Sequence, residues 1–367
     1  MTKENESTSN YLNGYNLEEK PQKKKKKVLK VILHVLLVIV LMAGTFFGTY
    51  FFMGDIVSTK QIVSTSNSDP SNYSNFIALQ VNSGKININD VSDFFTESET
   101  AFIRKKAGLI TFSDSNLERE IRNLINKQYG VIFDKDVANI TYLELSNASI
   151  QSLEGLEFLV NLTELKLDNN YIRDLSPLQN LTNLSTLNLS QNQIISINDL
   201  SKMSNLKELD LSYNFITDIQ PISGAISLNK LNLKGNQISD IFSLSELTDL
   251  TTLILAENNI AEVSSLGSLS KLTVLDLHNN QIVKVYGLET LLNISELVLH
   301  NNKIEDISSF SEMVNLTKLD IYNNLVSDIS VLDSLTSLKE VRIERNPVIN
   351  IEQLEKHKKI IVEETIN

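Results

Sequence analysis

VNLTELKLDNNYIRDLSPLQNL, Val160–Leu181, is followed without a break by TNLSTLNLSQNQIISINDLSKM, Thr182–Met203, and both stretches follow one frame of 22 residues. Ten such units run consecutively from Ala138 to His357. Within a unit, apolar residues hold positions 3, 6, 8, 13 and 16, and nearly always 19 and 22. The first unit has Ala148 at position 11, and the other nine have asparagine there: Asn170, Asn192, Asn214, Asn236, Asn258, Asn280, Asn302, Asn324 and Asn346.

This frame resembles the leucine-rich repeat, L-x-x-L-x-L-x-x-N-x-L, at the short end of its length range. Leucines at positions 6 and 8 alternate around an outward residue, so each unit is predicted to add one strand to a parallel sheet. The fold class is therefore an α/β solenoid, a curved right-handed horseshoe with a concave parallel sheet and 3₁₀ segments or turns on its convex side. The asparagine column is predicted to be structural, because its amides can satisfy backbone groups where the chain turns.

A membrane anchor is predicted from Val31 to Gly54, a stretch of 24 uncharged residues that follows the lysine-rich run Lys23–Lys30. It exceeds the roughly 20 residues that a helix needs to cross a bilayer. Lysines before the span predict that residues 1–30 form a cytoplasmic tail and that the rest of the chain lies outside. A cleaved signal peptide is the alternative, but its apolar region is shorter and ends at a small-residue cleavage site, so an uncleaved signal anchor is favoured.

Between the anchor and the repeats, residues 55–110 are rich in Ser, Asn and Thr at first and are interpreted as a stalk, with a short helix within Asp90–Gly108. Residues 111–137 are predicted to form a helical N-terminal cap. There Ser115 precedes Glu118 by three residues, as in a capping box, and Leu117, Ile121, Leu124 and Ile125 form one apolar stripe. Residues 138–357 are the repeats and 358–367 a C-terminal cap.

The 22-residue frame and the segment ITFSDSNLEREI, Ile110–Ile121, resemble the bacterial internalin family. The resemblance covers about residue 111 to the end of the chain. It implies a surface protein whose concave sheet binds other proteins. A role in host-cell entry does not transfer, since residues 358–367 leave no room for the immunoglobulin-like domain that usually follows and contain no wall-sorting motif.

Binding residues are expected at the outward positions 5, 7 and 9 of each unit, with positions 10 and 12 at the edge. Exposed aromatic and branched apolar side chains there are typical anchors for a protein partner. Two groups stand out. We call the first the N-terminal cluster, Tyr171, Tyr213 and Phe215, and the second the C-terminal cluster, Ile254, Val274, His278, Val298, His300 and Tyr322.

His278 and His300 lie one repeat apart at position 9, and the pair is consistent either with a metal site that includes Asp276 or Asp320 or with a contact surface. Neighbours in a column are expected to lie side by side in water without fixed partners. The chain has no cysteine, no glycine-rich phosphate loop and no H-E-x-x-H motif, so no catalytic residue, metal or cofactor is predicted.

The predicted function is non-covalent binding of a protein ligand, or of a cell-wall glycan, by a single-pass protein of the bacterial cell membrane. A net charge of −12 disfavours nucleic acid as a partner. Two alternatives remain: a membrane-tethered scaffold for another envelope protein of the same cell, and a metal-dependent enzyme that uses the two histidines.

Overall fold

The computed structural model describes residues 97–357 together with residues 78, 81–82 and 88–91. It divides into two compact units at Leu109 and Ile110, and each is described by itself. The predicted tail, anchor and C-terminal cap, and most of the predicted stalk, lie outside the described residues. No helix within the described part of the chain is both long and apolar enough to span a bilayer.

The first unit contains two described helices, α1 (Ile88–Val91) and α2 (Glu97–Lys106). Helix α2 confirms the helix predicted between Asp90 and Gly108. Its last turn carries Arg104, Lys105 and Lys106, cations that the negative end of the helix dipole favours.

The helical cap begins the second unit with α3, Ser115–Leu124, as predicted. The predicted capping residue is wrong: Asp114, not Ser115, is the N-cap, and its side chain accepts hydrogen bonds from the amides of Asn116 and Leu117. The other oxygen of Asp114 accepts from the amide of Gln151 at 2.7 Å, which joins the cap to the first repeat. Asp114 caps the helix in place of Ser115 because a carboxylate has two acceptor oxygens: one accepts from the amides of α3 and the other from the amide of Gln151. A serine hydroxyl has only one oxygen.

The apolar stripe of α3 is narrower than predicted. Leu117 and Ile121 are fully buried and Ile125 packs against the core, but Leu124 is 48% exposed. After α3 come β2 (Ile132–Phe133), which pairs with β1 (Leu109–Ile110), and the short helix α4 (Asp134–Val137).

Ten short parallel strands, one per unit, form a single sheet in sequential order and confirm the predicted solenoid. Equivalent residues pair in register, so positions 5 to 7 of neighbouring units lie side by side. The strands are β3 (Tyr142–Glu144), β4 (Glu164–Lys166), β5 (Thr186–Asn188), β6 (Glu208–Asp210), β7 (Lys230–Asn232), β8 (Thr252–Ile254), β9 (Val274–Asp276), β10 (Glu296–Val298), β11 (Lys318–Asp320) and β12 (Glu340–Arg342).

Nine units return through a 3₁₀ segment, also as predicted, and the tenth returns through helix α5 (Ile351–His357). The aspartate at position 15 starts several of these segments; Asp174, for example, accepts a hydrogen bond from the amide of Ser176. The 3₁₀ segments are Leu156–Phe158, Ser176–Leu178, Asn198–Leu200, Gln220–Gly224, Phe242–Glu246, Ser264–Ser268, Leu288–Thr290, Ser308–Glu312 and Ser330–Asp333.

The repeated apolar positions fill one continuous core that runs from Ile110 to Ile343. The asparagine at position 11 spans two units beside it. In Asn192, Nδ2 donates to the carbonyls of Leu189 and Leu167, and Oδ1 accepts from the amide of Ile172. Two of these three groups belong to the preceding unit. The first unit has no preceding unit whose backbone groups need such bonds. This explains why it has Ala148 at position 11 in place of asparagine.

Two further columns of hydrogen bonds account for the recurring NLT and NLS strings. Asn183 at position 2 donates to the carbonyl of Val160, one unit back. Ser185 at position 4 donates its hydroxyl to the carbonyl of Thr163, and other units repeat both bonds. These residues therefore hold adjacent turns of the solenoid together.

Candidate binding face of the sheet

The outward face of the sheet follows from the period of two along each strand. In β9 the central Leu275 is fully buried, whereas Val274 and Asp276 on either side of it are half-buried and face outward. The same alternation holds in the other strands except β11, where Asp320 is buried, and it lines up positions 5 and 7 into two columns. Position 9 forms a third column, in which Ser190, Ser212 and Ala256 are buried.

The aromatic side chains of the N-terminal cluster are exposed: Tyr171, Tyr213 and Phe215 are 51%, 44% and 49% exposed. Tyr213 occupies position 10, where the backbone is left-handed, with φ of 54°. Its ring covers Gly235, where a Cβ atom would come within 2.5 Å of the ring. The Nζ of Lys234 lies 5.7 Å from the ring centre. Tyr213 is thus held in place, while Tyr171 and Phe215 at position 12 lie beyond the asparagine turn.

Acidic side chains surround the N-terminal cluster. Glu208 pairs with Lys230 at 2.8 Å, and Asp210 accepts hydrogen bonds from Ser212 and Asn232. In the first four units the outward acids Glu144, Glu164, Asp168, Glu208 and Asp210 outnumber the single outward lysine, Lys166.

The C-terminal cluster is less exposed than the sequence suggested. Ile254, Val274 and Val298 are half-buried on β8, β9 and β10. Ile254 and Val298 both pair in register with Asp276, so a carboxylate lies between two apolar side chains. We call Ile254, Val274 and Val298 the apolar patch.

His278 and His300 stack at the edge of the apolar patch, with ring centres 4.3 Å apart and planes 12° apart. The predicted side-by-side arrangement is confirmed, but the expectation of free, hydrated rings is wrong. Their side chains are only 12% and 20% exposed, and each ring lies beside carboxylates. His278 Nδ1 is 2.6 Å from Asp276 Oδ1, and His278 Nε2 is 3.6 Å from Glu257 Oε1.

These contacts set the charge of His278. The hydrogen bond to Asp276 raises the pKa of His278 above its ordinary value, and burial opposes that rise only in part. When His278 is protonated, its ion pair with Asp276 also neutralises the carboxylate that lies between Ile254 and Val298.

His300 has a different partner. Its Nδ1 lies 3.1 Å from Asp320 Oδ2, at ion-pair distance but without hydrogen-bond alignment, and this nitrogen is shielded from solvent. Asp320 is almost fully buried and accepts hydrogen bonds from Arg342 at 2.9 Å and from the amide of Tyr322. Burial alone would raise the pKa of Asp320, but the nearby ring of His300, the hydrogen bond from the amide of Tyr322 and the charge of Arg342 lower it.

A chain of contacts therefore crosses six adjacent units between positions 7 and 10 of the repeat. Lys234 Nζ is 3.1 Å from Glu257, which approaches His278; the histidine stack leads to Asp320, and Asp320 leads to Arg342. Arg342 and Arg345 both lie over the ring of Tyr322, at 5.2 and 5.4 Å. Sequence reasoning missed Lys234, Glu257, Arg342 and Arg345, although their register with the histidines was available as a signal.

The arrangement favours contact and reversible protonation over bond-making chemistry. In the described part of the chain, no three His, Asp, Glu or Cys side chains converge as a metal site requires. Both ring nitrogens of His278 already face carboxylates, so this ring would have to lose those contacts to bind a metal ion.

The repeat region matches two leucine-rich repeat family models. One, described as "Leucine Rich repeats (2 copies)", matches residues 138–180, 182–224, 248–289, 270–312 and 314–356, and the other, "Leucine rich repeat", matches residues 204–260. The first model alone covers more than half of the chain, so the protein belongs to the leucine-rich repeat family. No curated protein sequence matches the chain significantly.

Within this family the chain is similar in structure to internalins of Listeria monocytogenes. The internalin InlF is 31% identical with a TM-score of 0.59, over 68% of this chain and 81% of that one. Internalin C2 is 30% identical with a TM-score of 0.51, over 64% and 97%. The functional domain of InlJ, which includes a cysteine ladder, is 27% identical with a TM-score of 0.61, over 67% and 54%. This chain has no cysteine, and asparagine, serine and threonine form its ladders.

Proposed function

We propose that this protein is a recognition module of the bacterial cell surface or envelope that binds a protein ligand non-covalently through the outward face of its sheet. The observation that carries the proposal is the C-terminal cluster. There an apolar patch, a histidine stack and Tyr322 lie on adjacent strands of one face. Partly apolar surfaces with aromatic anchors are typical of protein interfaces.

The rigidity of the face supports binding. Main-chain pairing fixes the strands, and the asparagine, serine and threonine columns fix the turns that follow them. Side chains such as Tyr213 and Tyr322 are further restrained by the cations that lie against them. A preorganised face loses little conformational entropy when a ligand binds. Similarity to internalins, which the sequence resemblance associates with protein binding at the cell surface, agrees with this proposal.

The proposed location is the cell membrane, with residues 31–54 as a single-pass signal anchor, a cytoplasmic N-terminus and the repeats outside. The lysine run before an uncharged 24-residue stretch supports this orientation. Protease treatment of whole cells, before and after removal of the wall, tests it. Protection of the repeats in wall-free cells would contradict the proposed orientation, whereas digestion only after wall removal would favour the envelope scaffold over surface display.

The binding proposal is tested by affinity capture with the full-length chain, followed by quantification of each captured protein. The face variant changes Tyr213, Phe215, His300 and Tyr322 to Ala. The matched control changes Phe242 and Tyr286, two aromatics that are 74% and 73% exposed at the start of the convex return segments, to Ala.

We expect the face variant to lose its specific partner at least tenfold, since interface aromatics commonly contribute about 2 kcal/mol or more each, and the control to retain it. Retention of every partner by the face variant would refute binding through this face. A cell-wall glycan as ligand is tested by sedimentation of the same variants with purified wall. Zinc titration tests the metal-dependent alternative, and the absence of zinc binding would remove it.

A further inference from the structure

The two stacked histidines differ in their hydrogen-bonding surroundings. This difference determines which kind of ligand group can bind beside them. Both nitrogens of His278 face carboxylates, Asp276 at 2.6 Å and Glu257 at 3.6 Å. A ring in this position is stabilised as the doubly protonated cation, which donates from both nitrogens. His278 is therefore the member of the pair that carries the extra proton first.

A second cation at a ring separation of 4.3 Å is disfavoured by repulsion, so the stack takes up its two protons in separate steps. His300 is the neutral member while His278 is charged. Its shielded Nδ1 faces the carboxylate of Asp320 at 3.1 Å, which places the single proton of the neutral ring on Nδ1. His300 Nε2 is left with a lone pair, and no side chain of the described residues donates a hydrogen bond to it.

The charges around this lone pair balance. The carboxylates of Glu257, Asp276 and Asp320 face the cations of Lys234, His278 and Arg342. Farther along the face, Glu296 and Lys318 pair with each other at 2.9 Å, and Arg345 lies over Tyr322. A neutral surrounding gives no advantage to a charged ligand group, and the charge of His278 repels an ammonium or a guanidinium.

The apolar patch supplies the second requirement. Val298 at position 7 and His300 at position 9 are two residues apart on one face, or roughly 6–7 Å along a strand. A ligand ring that rests on Val298 thus brings a polar tip on its far edge to His300 Nε2. Tyrosine and tryptophan combine an apolar body with an uncharged donor in this way.

We propose that the C-terminal cluster binds a tyrosine or tryptophan side chain of a protein ligand, with its ring on the apolar patch and its hydroxyl or indole N–H donated to Nε2 of His300. This inference rests on the proposed function, because it names the ligand group for the same face.

The protonation states are tested first, on the full-length chain labelled with ¹⁵N-histidine. The chain contains only four histidines, and His34→Gln, His278→Gln and His357→Gln assign the signals. We expect His278 to keep its second proton to a higher pH than an ordinary histidine, and His300 to show protonated Nδ1 with unprotonated Nε2 at neutral pH. An Nε2–H tautomer for His300, or prior protonation of His300, would overturn the inference whatever the protein binds.

The ligand group is tested with random short peptides displayed on phage and selected against the full-length chain at neutral pH. Binders are resynthesised with Tyr, Trp, Phe or Lys at the enriched anchor position. We expect Tyr or Trp to bind about tenfold more tightly than Phe or Lys, the value of one satisfied hydrogen bond. His300→Phe should lose a similar factor, whereas His300→Gln, which keeps an acceptor, should retain binding.

The outcomes separate the two proposals. Peptides that bind the face as tightly with Phe as with Tyr or Trp at the anchor position would refute the inference and leave the proposed function standing. Peptides whose binding is unchanged by His300→Phe would do the same. If no peptide is selected, or if none is sensitive to the four-residue face variant, the proposed function fails and the inference fails with it. Equal denaturation midpoints for His300→Phe and His300→Gln would exclude unfolding as the cause of a loss.

Discussion

Position 11 and position 9 of the repeats lie two residues apart in every unit and behave in opposite ways. The position-11 column is asparagine in nine units, and seven of these side chains are buried, with Asn302 and Asn346 half-buried. The position-9 column varies along the solenoid: Ser190, Ser212 and Ala256 are buried there, whereas Lys234, His278, His300 and Tyr322 are half-buried. A residue that recurs satisfies backbone groups that recur in every unit, whereas a residue that varies is free of that demand and is available for recognition.

The substitution with the largest expected effect removes one asparagine from the position-11 column. Asn258→Ala should destabilise the protein by about 1–3 kcal/mol, because it leaves the buried amide of Ile238 without a partner. It also removes one of the two asparagine donors to each of the carbonyls of Leu233 and Leu255, which keep Asn236 and Asn280 respectively. Urea unfolding measures the change. The matched control is Asn259→Ala, one residue later and exposed, which should change stability by no more than about 0.5 kcal/mol. Equal effects of the two substitutions would contradict a structural role for the column.

The second test concerns the first unit, where the recurring asparagine is replaced by Ala148. There Asp114 satisfies the amides of Gln151 and Ser152 as well as those of α3. Asp114→Ala should cost about 1–2 kcal/mol, the upper range for loss of an N-cap. Ser115→Ala is the control and should have a much smaller effect in the same urea titration. A larger loss for Ser115→Ala would restore it as the capping residue.

The smallest expected effect is the pH dependence that His278 contributes. Because its pKa is raised in the folded state, its contribution to stability is complete below the ordinary value of 6.5 and is lost as the pH rises through the raised value. The free energy of unfolding should therefore fall by up to about 1 kcal/mol across that interval, the scale of a hydrogen bond to a charged group. His278→Gln should remove this fall. An unchanged pH profile in the variant would show that the Asp276 contact contributes nothing.

Most of the fold could be predicted from the sequence because the same pattern of residues occurs in all ten units. The parallel sheet, the 3₁₀ returns, the buried apolar positions and the structural asparagines all follow from residues whose contacts lie at a fixed spacing of one unit. The errors fell where the repeat gives no guidance. Leu124 and the capping residue belong to a segment outside the frame, where a helical period alone does not fix which end of the stripe is covered.

For the binding face, the outward residues can be read from the sequence alone, since the period of two along a strand is a local property. The contacts that those side chains make with each other depend on the folded solenoid. His278 and His300 are 22 residues apart in the chain but stacked at 4.3 Å, and their carboxylate partners come from three different units. Charge and protonation depend on distances of a few ångströms between units, and those distances are set by the packing of one turn of the solenoid on the next.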